Sequence, residues 1–127
     1  MDYGENIHLG DGCEVNMNCT FFDDNIIEIG DGCLIAPNVQ IYTAFHPTKA
    51  AQRQGEKKAD GFFEFCTTVF APVRIGKNVW IGGGAVILPG VTIGDDTVIG
   101  AGSVVTRDIP AGKVARGNPC RIIRDNL

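Results

Sequence analysis

The sequence is poor in several features that define common protein classes. Its 127 residues contain no apolar run near the roughly 18 residues that a membrane-spanning helix requires. Its first residues also lack the basic and then apolar layout of a secretion signal. Aromatic residues make up 8% of the chain, charged residues make up 20%, and the formal net charge is -4. A dedicated nucleic-acid-binding protein is usually basic, so we expect neither nucleic acid nor a membrane as a partner.

Histidine is scarce, and the cysteines are not arranged as metal ligands. The chain has two histidines and five cysteines, and no CxxC spacing occurs. An odd number of cysteines without a secretion signal argues against a disulfide framework. We therefore predict reduced thiols, a cytoplasmic location and no metal site.

Glycine, in contrast, is abundant, and a six-residue repeat runs through much of the chain. There are 17 glycines, about twice the usual share. Every sixth residue from position 75 is a β-branched aliphatic, namely Ile75, Ile81, Ile87, Ile93, Ile99 and Val105. Four positions after each of these come Val79, Ala85, Val91, Thr97, Ser103 and Ile109. Near the N-terminus, Leu9, Val15 and Phe21 form one set with the same spacing, and Ile29, Ile35 and Ile41 form another that starts eight residues later rather than six.

A period of six fits neither an α-helix nor a two-sided strand. It suits a short strand followed by a turn, and three such units make a triangular coil of about 18 residues. We predict an all-β protein, a parallel β-helix of about four coils over residues 9–26, 29–46 and 75–110. Cys13, Cys19, Cys33, Val39 and Phe45 then occupy the fourth positions of the N-terminal sets, where we expect small or half-buried side chains.

The remaining segments interrupt or follow the repeat. We predict a single domain over residues 1–127, with an extruded loop at about 47–72 and a C-terminal cap at about 110–127. The cap would cover strand edges that the last coil leaves unpaired. Phe62, Phe63, Phe65 and Phe70 either pack the loop onto a neighbouring coil or subunit, or line a binding pocket.

Particular motifs within the repeat point to a family. They are Asn-Val-Trp-Ile-Gly at 78–82, Ile-Gly-Ala-Gly-Ser at 99–103, Gly-Asn-Pro at 117–119, and His46-Pro47 directly before the extruded loop. The chain resembles the hexapeptide-repeat acyltransferases, and most closely their maltose and galactoside O-acetyltransferase branch. The resemblance implies a left-handed β-helix and a homotrimer with active sites between subunits. It also implies acetyl-CoA as acyl donor, a sugar or similar hydroxyl acceptor, and no metal. Members of this branch carry a helical segment ahead of the first coil, which this sequence lacks.

The resemblance assigns His46 as the general base. An imidazole with a pKa near 6.5 can accept a hydroxyl proton as the oxygen attacks a thioester. Asn16 matches a residue that orients the reactants or stabilises the transition state, and Asn16 and Asp24 match acceptor contacts. The alternatives are a surface histidine, and corner hydrogen bonds for Asn16 and Asp24. We expect the adjacent Asp23 to lie in a solvated turn.

The resemblance also assigns contacts with coenzyme A. The matching residues are Trp80, Gly83, Ala101, Thr106, Arg107, Arg121 and Arg124. Backbone groups of Gly83 and Ala101 would hold the pantetheine arm. Gly83 stands where the family often has serine, so only its backbone can serve. Arg121 and Arg124 would meet phosphates, which suit guanidinium geometry. Alternatively, the arginines are solvated cap residues and Trp80 fills a core or an interface.

These features leave more than one function open. The first is an acetyl-CoA-dependent O-acetyltransferase, with a nucleotide-sugar N-acyltransferase as its variant. The second is a non-catalytic, truncated β-helix trimer that has lost acceptor binding. A β-helical carbonic anhydrase is set aside, because its zinc needs three histidines and the chain has two, His8 and His46.

Overall fold

The computed structural model describes residues 4–54 and 68–127, in which short strands wind around a triangular prism. The first face contains β1 (Ile7–Leu9), β4 (Ile27–Ile29), β9 (Val73–Ile75) and β12 (Thr92–Ile93). The second face contains β2 (Glu14–Val15), β5 (Leu34–Ile35), β10 (Trp80–Ile81), β13 (Val98–Ile99), β15 (Lys113–Gly117) and β16 (Cys120–Asp125). The third face contains β3 (Thr20–Phe22), β6 (Gln40–Tyr42), β11 (Val86–Ile87) and β14 (Val104–Val105).

Four coils stack in parallel register, as the repeat predicts. On the second face Ile35 lies beside Ile81, which lies beside Ile99. Each contact of this kind places identical repeat positions one strand spacing apart, about 4.8 Å. Consecutive aliphatics therefore form continuous ladders inside the prism, which confirms the predicted parallel β-helix.

The interior consists of the residues that the repeat singles out. The two sets of repeat positions from Ile75 to Ile109 are all buried, with exposed fractions no higher than 5%. Cys33 is fully buried, and Cys13 and Cys19 are half-buried at the edge of the same core, as predicted. Thiols fit these positions because they behave as small apolar groups.

The first coil departs from this pattern. Leu9 and Val15 hold repeat positions but remain 50% and 40% exposed, whereas Phe21 is buried. Their strands pair on one side only within residues 4–54 and 68–127, so no neighbouring coil covers them from the N-terminal side. Phe45, at a predicted fourth position, is also exposed, because the chain leaves the prism two residues earlier, at Thr43.

Three corners join the faces. The first corner comprises residues 10–13, 30–33, 76–79 and 94–97, and the second comprises 16–19, 36–39, 82–85 and 100–103. The third corner comprises residues 23–26, 43–44, 88–91 and 106–109. Asn18 and Asn38 adopt positive φ at the second corner, as Asn78 does at the first. Asparagine tolerates this left-handed conformation better than other residues with a side chain, so it supports the sharp bend.

Two segments lie outside the regular coils. β7 (Ala44–Phe45) pairs antiparallel with β8 (Val69–Phe70), and α1 (Ala50–Arg53) lies between them in sequence. Of the predicted loop, residues 55–67 lie outside the described residues, and these include Phe62, Phe63 and Phe65. Phe70 is 52% exposed in β8. The described part of the chain contains no helix with the length and apolar character of a membrane span.

The C-terminal segment, predicted as a cap, continues the second face. β15 pairs parallel with β13, and β16 turns back antiparallel on β15. Lys113 and Asp125 form a salt bridge of 2.5 Å across this hairpin, which lowers the pKa of Asp125. The Asn126 side chain donates to the Asp96 carbonyl oxygen over 2.9 Å, which ties the hairpin back to the first corner.

The close spacing of coils predicts a large difference between two neighbouring glycines. A Cβ on Gly82 would lie 2.5 Å from the backbone nitrogen of Ala101, whereas a Cβ on Gly83 would lie no closer than 3.5 Å, to the Pro37 oxygen. We expect Gly82→Ala to lower the free energy of unfolding by about 1–3 kcal/mol, the usual cost of overpacking. Gly83→Ala is the matched control and should change it by less than about 0.5 kcal/mol. Equal urea midpoints for the two variants would contradict the stacking of Gly82 on the next coil.

Candidate active site

His46 stands at the end of the arm that leaves the third corner. The arm begins at Thr43, whose carbonyl oxygen accepts the Ala71 N–H over 2.8 Å, and β7 then pairs with β8. His46 follows β7 directly and is exposed. Hydrogen bonds therefore hold the backbone of this arm in place, and the His46 imidazole at its end is accessible to solvent and ligands.

A cavity of about 470 Å³ opens beside His46. Its lining residues are Tyr42, Ala44, Phe45, His46, Thr48, Leu88, Pro89 and Thr106. The structure thus brings together His46 and Thr106, two residues that sequence analysis assigned to base and coenzyme contacts. A largely apolar wall that carries a few polar groups, here including His46 and Thr106, is typical of ligand pockets.

Several lining residues were not expected from the sequence. Tyr42 and Leu88 lie on the outer side of the third face, and the repeat draws attention to inner positions instead. Tyr42 donates to the Gln40 side-chain oxygen over 2.5 Å and stacks on Phe22 with ring centroids 4.7 Å apart. The sequence signal that could have found them is a second alternation, in which apolar residues also occupy outward positions of the repeat.

Asp24 and Asp23 differ in burial, and one expectation is wrong. Asp24 is half-buried at the third corner, one coil before the coil from which the His46 arm leaves. Asp23 is fully buried instead of solvated, and its carboxylate accepts the Asn6 N–H over 3.1 Å. Asp23 points inward because side chains alternate along the strand, and Phe21 before it also points inward.

Asn16, Gly83 and Ala101 lie at the second corner. The Asn16 side chain is exposed and donates to the Ile35 carbonyl oxygen over 3.2 Å. Gly83 and Ala101 hold equivalent positions in consecutive coils, since the Gly102 N–H donates to the Gly83 oxygen over 2.9 Å. Within the described residues, the N–H groups of Gly83 and Ala101 donate no hydrogen bond. Two free donors on adjacent coils are available to a ligand that lies along this corner.

A second cavity, of about 320 Å³, contains two of the predicted arginines. Arg107 and Arg121 line it together with Asp108 and Cys120. The Asp108 carboxylate accepts the Thr92 N–H over 2.8 Å. In residues 4–54 and 68–127 neither arginine forms a salt bridge, which leaves both guanidinium groups available to an anion. Arg124 lies further along β16 and is not among the residues lining this cavity.

Trp80 lies on the outer side of the second face. It is 53% exposed and stands next to Leu34, which is 46% exposed. The alternative that Trp80 fills the core of the protomer is therefore wrong. A contact with a ligand or another subunit stays a prediction.

Trp80, Arg121 and Arg124 lie on the second face, and the other predicted site residues divide between the two edges of the third face. Asp24, His46, Thr106 and Arg107 lie on the third-corner side, and Asn16, Gly83 and Ala101 lie on the second-corner side. One protomer does not bring His46 and Asn16 into the same cavity. The part of the chain that the structure describes holds no group of three or more metal-ligating side chains.

Known proteins contain the same six-residue repeat and have the same fold. Residues 72–107 match the family described as bacterial transferase hexapeptide (six repeats). The galactoside O-acetyltransferase of Escherichia coli (strain K12) is 49% identical over 123 residues, which cover 97% of this chain and 56% of the relative. The chain is therefore similar to hexapeptide-repeat acyltransferases over nearly its whole length. Its predicted left-handed β-helix is thereby confirmed.

Solved hexapeptide-repeat structures superpose closely on this chain. A galactoside acetyltransferase in complex with coenzyme A has a TM-score of 0.87 and 48% identity, covering 98% of this chain and 57% of that chain. A maltose O-acetyltransferase from Clostridium difficile 630 has a TM-score of 0.86 and 54% identity, covering 98% and 62%. The chain therefore spans little more than half the length of these hexapeptide-repeat relatives.

The thiol beside the arginine cavity provides a test of local burial. Burial raises the pKa of Cys120, although a hydrogen bond with Ser103 opposes this. Because less thiolate forms at a given pH, we expect iodoacetamide at pH 8 to alkylate Cys120 at least about tenfold more slowly than half-buried Cys13. The Cys120 rate should climb as pH approaches its raised pKa. Peptide mass mapping measures both rates, and the unfolded chain is the control. Equal rates in the folded protein would contradict the burial of Cys120.

Proposed function

We propose that the protein is an acetyl-CoA-dependent O-acetyltransferase that acts on a sugar or a similar small hydroxyl compound, with His46 as general base. The observation that carries this proposal is the cavity that His46 and Thr106 share at the third corner. A base next to a candidate coenzyme contact is the arrangement that acyl transfer needs. The names of the relatives, a galactoside and a maltose O-acetyltransferase, support the reaction class.

The proposed reaction uses one proton transfer in each direction. The His46 imidazole removes the proton of the acceptor hydroxyl as its oxygen attacks the thioester carbonyl carbon. The resulting tetrahedral intermediate breaks its carbon–sulfur bond, and the imidazolium returns the proton to the departing thiolate. The products are an acetyl ester and free coenzyme A, so atoms and charge balance. No metal takes part.

The coenzyme has candidate contacts at both ends. The free N–H groups of Gly83 and Ala101 would hold the amide-rich pantetheine arm along the second corner. Arg107 and Arg121, which share the second cavity, would receive phosphates together with Arg124. The exposed ring of Trp80 would cover the coenzyme from the second face.

We also propose a homotrimer in which the third faces surround the threefold axis. The outward residues of the first face are polar and exposed, and Glu28 forms a salt bridge of 3.3 Å with Arg74 there. Those of the third face include half-buried Phe22, Tyr42 and Val86. An apolar outer face favours burial against another copy. The polar first face would then point to solvent.

A trimer of this kind would complete the site. A cyclic interface joins two different patches, so the second-corner edge of one protomer meets the third-corner edge of the next. Asn16, Gly83 and Ala101 of one subunit would then face Asp24 and His46 of its neighbour. In this arrangement Asn16 orients the reactants, and Asn16 and Asp24 contact the acceptor hydroxyls.

One observation favours the second candidate, a non-catalytic β-helix trimer. The Asn16 amide already donates to the Ile35 carbonyl, which is the corner hydrogen bond expected of a structural residue. This candidate predicts assembly without transfer. An N-acyltransferase would instead form an amide. Mild base hydrolyses an ester but leaves an amide intact, so product mass after base treatment distinguishes the two reactions.

Two further features belong to the proposal. We place residues 1–127 in one domain, with the extruded loop at 47–72 and the cap at 110–127. We also place the protein in the cytoplasm. The free thiols of Cys13, Cys19, Cys33 and Cys120 support a reducing compartment.

Replacement of His46 tests the general base. We expect His46→Ala to lower the rate of acetyl transfer by about 10²–10⁴-fold, because the acceptor hydroxyl loses its proton acceptor. Product mass over a panel of sugars measures the transfer without reagents that react with the protein's thiols. The control is His8→Ala, which removes the other, exposed histidine from the first face and should keep full rate. An unchanged rate in His46→Ala would contradict the assignment of His46 as general base. Assembly without transfer in the wild type would favour the non-catalytic trimer.

Mixed trimers test whether neighbouring subunits share the site. His46→Ala and Asn16→Ala are each expected to be inactive. Unfolded together in equal amounts and refolded, they should recover about a quarter of the wild-type sites, because random cyclic assembly pairs an intact His46 with an intact Asn16 at that frequency. Mixing the two separately refolded trimers is the control. No recovery in the mixed trimers, with a trimer mass confirmed by light scattering, would place both residues in one subunit.

A further inference from the structure

The third corner contains buried polar side chains that the proposed reaction does not use. In the described residues four polar side chains are fully buried, and these are Asp23, Thr43, Thr97 and Ser103. Thr97 and Ser103 donate to carbonyl oxygens of turns at the C-terminal end of the β-helix, over 3.0 Å and 2.7 Å. Thr43 and Asp23 lie one coil apart beside the candidate site, so their contacts decide how that corner is held.

The Thr43 hydroxyl connects two coils. It donates to the Phe22 carbonyl oxygen over 2.6 Å and accepts the Asn25 N–H over 2.9 Å. These two backbone groups lie on either side of Asp24 in the sequence. One side chain therefore closes a hydrogen-bonded loop around the turn that presents Asp24.

The main chain of Thr43 begins the His46 arm. Its carbonyl oxygen accepts the Ala71 N–H over 2.8 Å, and His46 comes three residues later, after β7. The same residue thus fixes the turn of Asp24 through its side chain and the arm of His46 through its backbone. A β-branched side chain has a restricted χ1, which keeps the two connections in a constant geometry.

Asp23 makes a separate contact at the same corner. Asn6 donates its backbone N–H to the Asp23 carboxylate over 3.1 Å and its side-chain amide to the Asp23 carbonyl oxygen over 2.8 Å. This contact links Asp23 to the turn that precedes β1. Thr43, in contrast, contacts both the turn of Asp24 and the start of the His46 arm, so it is a buried link between the two groups that the reaction would use.

We propose that Thr43 is a positioning residue that sets the place of Asp24 relative to His46. Its kinetic consequence rests on the proposed acetyl transfer, but its structural consequence does not. Valine has the shape of threonine without donor or acceptor, so Thr43→Val releases the Phe22 oxygen and the Asn25 N–H while the core stays filled. Serine restores both hydrogen bonds.

Kinetics of matched variants test the proposal. We expect Thr43→Val to lower kcat/KM for the acceptor by about 10–100-fold, since small displacements of reacting groups have effects of this size. KM for acetyl-CoA should stay within about twofold, because the Thr43 hydroxyl bonds to the turn of Asp24 and to none of the candidate coenzyme contacts. Thr43→Ser should recover most of the loss. Thr97→Val is the control, because it removes the hydroxyl of another fully buried threonine away from His46.

The outcomes separate positioning from general stability. A loss in Thr43→Val that Thr97→Val does not share supports the proposal. An equal loss in both variants, or full acceptor kinetics in Thr43→Val, overturns it. Should Thr43→Val not fold, Thr43→Ala replaces it, with the same expected loss.

Magnetic resonance provides a readout that does not need turnover. In a His8→Gln background the single remaining imidazole is His46, and its Cε1–H signal is followed with the amide signal of Asp24. We expect Thr43→Val to shift both signals, Thr43→Ser to restore them, and Thr97→Val to leave them in place. If the wild type transfers no acetyl group, the proposed function fails and these shifts alone decide the role of Thr43. Unmoved signals overturn it.

Discussion

The stacking of coils at a single strand spacing is the constraint on which the rest of the structure depends. Each coil hydrogen-bonds through its backbone to the coils above and below, so identical repeat positions lie about 4.8 Å apart. The interior holds the two buried positions of each six-residue unit, and neighbouring coils leave no room for a side chain at positions such as Gly82, where a Cβ would press on Ala101. Composition follows from this geometry, because β-branched residues fill the ladders and glycine or asparagine forms the bends.

The same constraint explains why candidate functional groups collect at the corners. Inner positions are occupied by the ladders, and flat outer faces offer little concave surface. Corners, in contrast, carry backbone groups that the ladders do not use, such as the N–H groups of Gly83 and Ala101. The third corner adds a wall of outward apolar side chains, including Leu88 and Pro89, around His46. Chemistry at this site would therefore depend on what the bends expose and, in the proposed trimer, on what a neighbouring copy brings.

Sequence predicts the regular part of the fold well, because a strict period leaves little choice of geometry. The buried ladder from Ile75 to Val105 and the thiol positions of Cys13 and Cys33 follow from the repeat alone. Exposure of Leu9 and burial of Asp23 do not, because the first depends on the neighbours of an end coil and the second on an alternation that continues past the strand. Handedness and the roles of His46 and Asn16 came from family resemblance, since local periodicity carries no information on either.

Irregularities of the repeat coincide with the candidate site. The first occurs between Phe21 and Ile29, which lie eight residues apart instead of six, and Asp24 lies inside that interval. The second occurs after Ile41, where the chain leaves the prism at Thr43 and carries His46 outward. Both breaks fall on the third corner, one coil apart, and a hydrophobic ladder is replaced there by a threonine hydroxyl and a carboxylate in hydrogen bonds. These buried hydrogen bonds bury less apolar surface than the isoleucine ladder, but hydrogen bonds are directional. They therefore fix the relative orientation of two turns that the repeat does not specify. Local departures from an otherwise consistent pattern are expected where a protein binds or reacts, and here the departure connects Asp24 and His46, the proposed acceptor contact and the proposed base.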